Sequence, residues 1–323
     1  MRPVLAPYSV EDSTRDGFDT VVLASAGARL EAELVPGVGM VCCSLRHAGD
    51  ELLAQRGGLK KYAETGSTFG IPLLYPWANR LGGFSYEVDG RRVDLDPDSP
   101  LIRKDPNGLP IHGLLNASPH WEVTDRTAAH DGARLRARLD FAAHEDLMAA
   151  FPFPHALELE ATVAGSALTI ATRVEPTGDA KVPIAFGLHP YLRLPDVARA
   201  DWQIAVPARR QLELDDRLLP TGASRPVRIE PGPLGGRSFD DAFADLARPP
   251  RFVLWGGGRR LVVELAKGYP FAQVYGPDDQ ELICFEPMTA PTNALLTGGP
   301  SLRMAEPGLG FSASFVVAVE AAR

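Results

Sequence analysis

Cysteine is scarce in this chain: only Cys42, Cys43 and Cys284 occur among 323 residues. An odd number of cysteines without CxxC spacing fits neither a disulfide framework nor a zinc site. Neighbouring Cys42 and Cys43 point to opposite faces if their segment is a strand, which is poor geometry for a disulfide between them. We therefore expect three reduced thiols and no metal site.

Basic residues and long apolar runs are also in short supply. The chain has 33 Lys and Arg against 41 Asp and Glu, which gives a formal net charge of -8. Nucleic acids and anionic membrane surfaces select basic faces, so neither is an expected partner. No apolar run approaches the ~20 residues needed to cross a bilayer. The start, MRPVLAPYSVEDSTRDG, lacks the basic-then-apolar order of a signal peptide, so we expect a cytoplasmic protein.

Several well-known catalytic motifs are missing as well. The sequence has no GxSxG nucleophile elbow, no Walker A loop and no HExxH helix. LWGGGRRLVVEL, residues 254–265, carries a glycine cluster, but a strand pattern follows it where a dinucleotide site needs a helix. We interpret this segment as a hairpin turn and expect no cofactor.

Alternating apolar and polar residues dominate what is present, and they predict β-strands. In ARLRARLDF, residues 133–141, Ala and Leu occupy one face and Arg the other, and residues 311–319 alternate in the same way. Further strands are predicted at 18–24, 28–35, 39–47, 201–206, 251–255, 260–266, 271–275 and 281–286.

Turn signals separate these strands. HALELEATVAGSALTIATRV predicts two strands joined at Gly165-Ser166, and YEVDGRRVDL a hairpin that turns at Asp89-Gly90. The 31 glycines and 29 prolines are spread between strands, with no linker-like block, repeat or low-complexity segment.

Helical patterns are few and short. Only residues 145–150 and 240–247 suggest helices. Many short strands with turns between them predict a sandwich or barrel, and we expect one large all-β domain that spans residues 1–323.

Polar side chains in apolar segments are the candidates for chemistry. They are Asn79 and Arg80 in FGIPLLYPWANRLGG, His112 in GLPIHGLL, His189 in AFGLHPYL, Asp240 and Asp241 in SFDDAF, Gln273 in FAQVYGP, and Glu286 in LICFEPMTAPTNAL. Pro190 biases His189 towards an extended backbone, and Gly187 permits a close approach of chain or ligand.

Each candidate also has a structural interpretation. An isolated histidine in an apolar segment is more often a partly buried residue with one hydrogen bond. Arg80 could pair with any loop carboxylate, and Asp240 or Asp241 could cap the helix predicted at 240–247. Glu286 is hardest to explain structurally, because a carboxylate among apolar neighbours loses solvation and needs a compensating partner or purpose.

The ordered set PLLYPWANR, IHGLL, FGLHPYL, FDDAF, QVYG and CFEPMTAPTNAL resembles the aldose 1-epimerases, or galactose mutarotases, over residues 20–319. It looks closest to the bacterial branch with PW-NR and EPM motifs. The resemblance implies a large antiparallel β-sandwich, the galactose mutarotase-like supersandwich, with a sugar cleft on a concave face.

The resemblance also implies a chemistry that needs neither metal nor cofactor. Interconversion of α and β anomers requires a proton to reach the ring oxygen while another leaves the anomeric hydroxyl. Glu286 matches the family's base, and His189 matches its acid, which protonates the ring oxygen. A histidine can bind and release a proton near neutral pH. His112 is expected beside the reacting centre, where it orients the ring oxygen or shares the acid role.

Other residues are expected to hold the sugar. The resemblance assigns Arg80 and Asp240 to sugar hydroxyls, with Gln273 beside them. Asn79 either does the same or braces the Arg80 loop, and Trp77 either stacks on a sugar face or is structural.

Two departures from the better-studied galactose mutarotases affect the pocket. Tyr75-Pro76-Trp77 stands where those enzymes have a glycine-rich segment, and Gly113-Leu114 follows His112 where they have two glycines. The identity of the sugar is therefore not implied by the resemblance.

Two rivals to a free-sugar epimerase stay open. A hexose 6-phosphate epimerase needs a cationic pocket, which Arg103-Lys104 or Arg193 could supply. A non-catalytic carbohydrate-binding protein would not need both proton-transfer groups. A glycoside hydrolase is disfavoured, because it usually needs two catalytic carboxylates and Asp240 with Glu286 is the only candidate pair.

Overall fold

A computed structural model describes residues 7–321. Residues 1–6, which begin the stretch without a signal-peptide pattern, lie outside the described part of the chain. Within residues 7–321, no helix has the length and apolar character needed to cross a membrane.

The first half of the chain is built from short strands with two small helices. Its strands are β1 (Tyr8–Arg15), β2 (Phe18–Ser25), β3 (Leu30–Val35), β4 (Val41–His47), β5 (Asp50–Glu51), β6 (Leu73–Leu74), β7 (Ser85–Val88), β8 (Arg91–Asp94), β9 (Glu122–Ala129), β10 (Gly132–Asp140), β11 (His155–Ala164) and β12 (Ala167–Pro176). The helices are α1 (Gly58–Thr65) and α2 (Glu145–Ala150), with a 3-10 turn at Phe141–Ala143.

The second half continues in the same way. Its strands are β13 (Val182–Ile184), β14 (Gly187–Leu188), β15 (Tyr191–Leu192), β16 (Gln203–Ala205), β17 (Ala208–Leu214), β18 (Pro220–Pro226), β19 (Gly232–Pro233), β20 (Phe239–Leu246), β21 (Arg251–Gly256), β22 (Arg259–Lys267), β23 (Phe271–Gly276), β24 (Ile283–Met288), β25 (Arg303–Ala305) and β26 (Phe311–Ala321). A third helix, α3 (Ala294–Thr297), and a 3-10 turn at Arg199–Asp201 complete it.

Three antiparallel sheets contain most of these strands. The largest has nine strands in the order β19-β16-β21-β22-β26-β12-β11-β10-β9, and the second has eight in the order β18-β17-β20-β23-β24-β14-β6, with β15 also paired to β24. A third sheet joins β1 to β5 in sequence order, and β7-β8 and β13-β25 form two small ribbons.

The nine-stranded and eight-stranded sheets pack face to face. Phe252 on β21 and Phe285 on β24 place their ring centroids 5.2 Å apart. One cluster of buried apolar side chains draws residues from both of these sheets and from the β1–β5 sheet. The expected antiparallel β-sandwich is confirmed.

Alternation along the strands explains how this sandwich forms. On β10, Leu135, Ala137 and Leu139 are fully buried. Arg136 on the other face forms a salt bridge with Glu160 of β11. A period of two places every apolar side chain of such a strand in the core, so the hydrophobic effect selects one register.

The predicted strands and turns are confirmed, with ends that differ by at most two residues. The hairpins turn where expected, at Asp89-Gly90, Gly165-Ser166 and the glycines between β21 and β22. Cys42 packs into the main core and Cys43 into a second apolar cluster, which confirms that they face opposite sides of β4.

One of the two predicted helices is wrong. Residues 145–150 do form α2, but residues 240–247 fall largely in β20, paired with β17 and β23. The apolar residues Phe239, Ala242, Phe243 and Leu246 have helical spacing, yet the flanking strands satisfy the backbone and decide the structure. Neither Asp240 nor Asp241 therefore caps a helix.

Candidate active site

Three adjacent strands of the eight-stranded sheet carry Asp240, Gln273 and Glu286. Glu286 on β24 lies opposite Gln273 on β23, which is also hydrogen-bonded through its Nε2 to Asp240 on β20 at 2.7 Å. All five other residues of Ile283–Met288 are apolar or proline, and all are buried. The sheet thus brings together side chains that are far apart in sequence.

His189 follows β14, which pairs with β24 through Gly187 and Met288. A Cβ atom at Gly187 would lie 2.5 Å from the carbonyl oxygen of Pro287. This position therefore needs glycine, as the sequence predicts, and the close approach brings His189 beside Glu286.

Two loops form another wall of the site. The backbone N–H of His112 donates to the carbonyl of Asn79 at 2.9 Å. Both residues adopt left-handed backbone conformations, with φ of 66° for His112 and 57° for Asn79. Such a φ is uncommon for histidine, so surrounding contacts must hold it in place.

Arg80 is fixed by two partners. Its Nε donates to Asp105 at 2.7 Å, and its Nη1 donates to Oδ1 of Asn79 at 2.9 Å. Asn79 therefore braces Arg80, one of the two roles expected for it. Asn293, which the sequence analysis did not single out, accepts from the N–H of Gly82 at 2.7 Å and steadies the same loop.

These residues surround a cleft of about 470 Å³, within the range of about 300–1,000 Å³ that is usual for small-molecule sites. Its lining includes Asn79, Arg80, His112, His189, Asp240, Gln273 and Glu286. Trp77 does not line it: the residue is 1% exposed and belongs to the main core. Its position supports the structural role rather than stacking on a sugar.

The proton-transfer candidates are in direct contact. Nε2 of His189 lies 3.2 Å from Oε1 of Glu286, and the two residues are 5% and 2% exposed. Burial raises the pKa of Glu286 well above its ordinary value, and the nearby charge of Asp240 adds to this effect. Burial and the neighbouring His112 lower the pKa of His189 well below 6.5.

His112 completes a cluster of two imidazoles. Its ring centroid lies 5.5 Å from that of His189 in an edge-to-face arrangement. Burial and three nearby arginines, Arg103 foremost, lower the pKa of His112 to about 3. His112 is therefore neutral near pH 7, and in that form it can orient an oxygen atom.

Several buried polar atoms in the cleft lack a hydrogen-bond partner among the described residues. Within residues 7–321, Nδ1 of His112, Nδ1 of His189 and Oε1 of Gln273 have no hydrogen-bond partner. Unpaired buried polar atoms are costly, and at a functional site they suit a polar ligand. No group of three His, Cys, Asp or Glu side chains in the described residues could hold a metal ion.

Part of the cleft was not predicted from the sequence. Tyr191 and Arg56 also line it, together with Thr68 and Tyr275. Tyr191 carried a usable signal, because it is two residues from His189 on an extended segment and shares its side of the chain. Arg56 carried none, since contacts over long sequence separation bring it to the cleft.

Two of the three proposed phosphate-binding cations are present. Arg103 and Lys104 line the cleft, whereas Arg193 does not. Arg103 donates to the carbonyl of Gly66 at 2.7 Å, and among the described residues neither cleft cation forms a salt bridge.

Solved structures share this fold at low sequence identity. A protein from Synechocystis is 24% identical, with a TM-score of 0.77 over 98% of this chain and 100% of its own. A galactose mutarotase-like protein from Clostridium acetobutylicum is 17% identical, with a TM-score of 0.85 over 98% and 99%. Galactose 1-epimerase from Lactobacillus acidophilus is 15% identical, with a TM-score of 0.77 over 98% and 99%. At these identities the likeness shows the fold alone.

A family model described as aldose 1-epimerase matches residues 22–308, which is most of the chain. The match includes every residue of the cleft discussed above, and it agrees with the resemblance seen in the ordered motifs. The family match indicates a sugar epimerase that acts on a small molecule. The chain belongs to the aldose 1-epimerase family.

Proposed function

We propose that this protein is a cofactor-independent aldose 1-epimerase that interconverts the α and β anomers of a free aldohexose. Glu286 acts as the base and His189 as the acid. His112, Arg80, Asp240 and Gln273 hold and orient the sugar.

Ring opening proceeds by two coupled proton transfers. The carboxylate of Glu286 takes the proton of the C1 hydroxyl, while protonated His189 gives its proton to the ring oxygen. The bond between C1 and the ring oxygen breaks, and C1 becomes an aldehyde carbon. After rotation about the C1–C2 bond, the hydroxyl formed from the ring oxygen attacks the other face of the aldehyde. Its proton returns to His189, and Glu286 returns its proton to the oxygen on C1.

The contact between His189 and Glu286 carries this proposal. Two groups 3.2 Å apart are within reach of one proton, and burial raises the pKa of Glu286 while it lowers that of His189. Burial of a carboxyl group at this position costs free energy of folding, which a catalytic role would explain.

The neighbouring polar groups suit a polyol. Gln273 and Asp240 present an amide and a carboxylate that are already hydrogen-bonded to each other. Arg80 is held by Asp105 and Asn79, so binding a sugar hydroxyl costs it little further side-chain entropy.

A screen of freshly dissolved α-anomers by polarimetry or proton NMR tests the proposal. We expect catalysed equilibration of free aldohexoses such as glucose or galactose. Binding without faster equilibration would instead support a non-catalytic carbohydrate-binding protein, and no effect on any sugar would refute the proposal.

A hexose 6-phosphate is the second candidate substrate. It is favoured by Arg56, Arg103 and Lys104, three cleft cations that have no carboxylate partner within residues 7–321. The same screen should include 6-phosphates. If these are preferred, Arg103→Gln should raise KM for the phosphorylated sugar, while Arg193→Gln, outside the cleft, should not.

A further inference from the structure

Tyr191 lies against His189 and makes polar contacts of its own. Its ring is nearly parallel to the imidazole, with 10° between the planes and 4.3 Å between the centroids. Its hydroxyl lies 3.3 Å from Nε2 of His189. Because the rings are stacked, Tyr191 supports one face of the imidazole and leaves the in-plane direction of Nε2 open towards Glu286.

Two further residues fix the Tyr191 hydroxyl. Nη1 of Arg56 donates to it at 2.7 Å and also to the carbonyl of Thr68 at 3.0 Å. Oγ1 of Thr68 lies 2.7 Å from the same hydroxyl. A guanidinium group can only donate, so Arg56 occupies one lone pair of the phenol oxygen. One O–H and one lone pair remain for Thr68 and Nε2.

This arrangement suits Nε2 with or without a proton. A protonated Nε2 directs its N–H in the ring plane towards Glu286, and the phenol then donates its hydrogen to Thr68. An unprotonated Nε2 can accept the phenol hydrogen, while Thr68 donates to the phenol oxygen. Both hydroxyls can donate and accept, so the exchange leaves neither unpaired.

Given the proposed function, we infer that Tyr191, fixed by Arg56 and Thr68, is a positioning residue for proton transfer. It stacks on the imidazole of His189 and holds it at the reacting centre, and its own hydroxyl stays paired before and after each transfer. The residue acts through His189 and does not itself exchange a proton with the sugar.

Several charged or titratable groups face His189, and of these His112 and Arg56 lower its pKa. The groups are Glu286 on β24, Tyr275 on β23, His112 on its loop, and Tyr191 with Arg56 on the stacked side. The charge of Arg56 lowers the pKa of His189, so its removal should raise the titration midpoint.

The test compares Tyr191→Phe and Arg56→Gln with the wild-type protein. Tyr191→Phe keeps the stacked ring and removes the hydroxyl, so we expect kcat to fall about tenfold or more and KM to change little, since misplacing a catalytic group costs turnover. Arg56→Gln should raise the titration midpoint of His189, which nitrogen NMR measures. His189→Asn identifies the resonance.

Tyr275→Phe provides the matched control for the titration. Tyr275 lines the same cleft and meets His189 by its ring edge, with centroids 6.1 Å apart. We expect its loss of a hydroxyl to leave the His189 titration unchanged. If Arg56→Gln does not fold, the kcat and the His189 titration of Tyr191→Phe test the inference by themselves.

A Tyr191→Phe protein with wild-type kcat and an unchanged His189 titration would overturn the inference. This failure is distinct from that of the proposed function. A wild-type protein that equilibrates no sugar would refute the epimerase proposal, whereas the His189 resonance would still show whether the Tyr191 hydroxyl governs the imidazole.

Discussion

Oε1 of Glu286 lies 3.2 Å from Nε2 of His189 across the floor of the cleft. Burial raises the pKa of Glu286 and lowers that of His189, so both groups are driven towards their uncharged forms. The pair then holds one proton in total. Movement of that proton from Glu286 to His189 would create the carboxylate and imidazolium that the proposed ring opening requires.

Glu286→Gln should abolish most of the catalysis without abolishing binding. The amide keeps the size and hydrogen bonding of the side chain but cannot accept a proton. Positioned acid–base catalysis contributes roughly 10²–10⁴-fold per group, so turnover should fall by about that factor. Polarimetry and a separate measurement of sugar affinity check this. Near-normal turnover would mean that another residue is the base.

The double variant Glu286→Gln with His189→Asn should be far less active than wild type. Its fold-loss of turnover should nevertheless be much smaller than the product of the two single fold-losses. Residues that act as one proton-transfer unit are non-additive, because removal of either already disables the unit. Turnover of all three variants on one sugar gives the comparison. Fully multiplicative losses would show that the residues act independently.

The pH dependence should be a broad bell whose limbs are the reverse of those expected from free side chains. Below the lowered pKa of His189 both groups are protonated and no base is present. Above the raised pKa of Glu286 both are deprotonated and no acid is present. The acid limb therefore belongs to His189 and the alkaline limb to Glu286.

This assignment is checked by kcat/KM against pH, which reports the free enzyme, together with a carbon NMR titration of the Glu286 carboxyl group. The carboxyl titration should coincide with the alkaline limb. Coincidence with the acid limb would contradict the assignment.

Gly187→Ala should destabilise the protein and disturb the site together. The added Cβ would lie 2.5 Å from the Pro287 carbonyl oxygen, so β14 and β24 must separate. Overpacking of this kind typically costs about 1–3 kcal/mol, measurable by denaturant unfolding. Gly83→Ala is the control, because its Cβ meets nothing within 4 Å. Equal stability of the two variants would show that the strand contact tolerates a methyl group.

Exhaustive chelation should leave turnover unchanged. The proposed chemistry moves protons between Glu286, His189 and the sugar and requires no Lewis acid. Polarimetry before and after treatment with a strong chelator measures this. A loss of activity that a divalent ion restores would show that the acid–base pair is not sufficient.

Much of this architecture could be predicted from local pattern. Strict alternation in β10, β11, β12 and β26 specifies half-buried strands, because only a period of two places all their apolar side chains in one core. The hairpin at Asp89-Gly90 follows from turn chemistry in the same direct way. The proton-transfer candidates His189 and Glu286 could be found because polar side chains in apolar segments are costly without a role.

Local pattern failed where distant strands decide the outcome. FDDAFADL has the apolar spacing of a helix, yet β17 and β23 pair with both of its edges and make it a strand. A sequence window of this length carries no information about those partners. Trp77 likewise suggests sugar stacking beside Asn79 and Arg80, but packing turns its ring into the core.

The sequence by itself determined the fold class, most strand positions and which polar residues are candidates for chemistry, because these depend on periodicity and on the cost of isolated polar groups. Only the tertiary structure decided that Nε2 of His189 meets Oε1 of Glu286, and that Arg56 and Tyr191 lie beside them. Sheet register and close backbone approach, such as that at Gly187, bring together residues separated by up to hundreds of positions. Burial then sets their proton affinities, which no local pattern specifies.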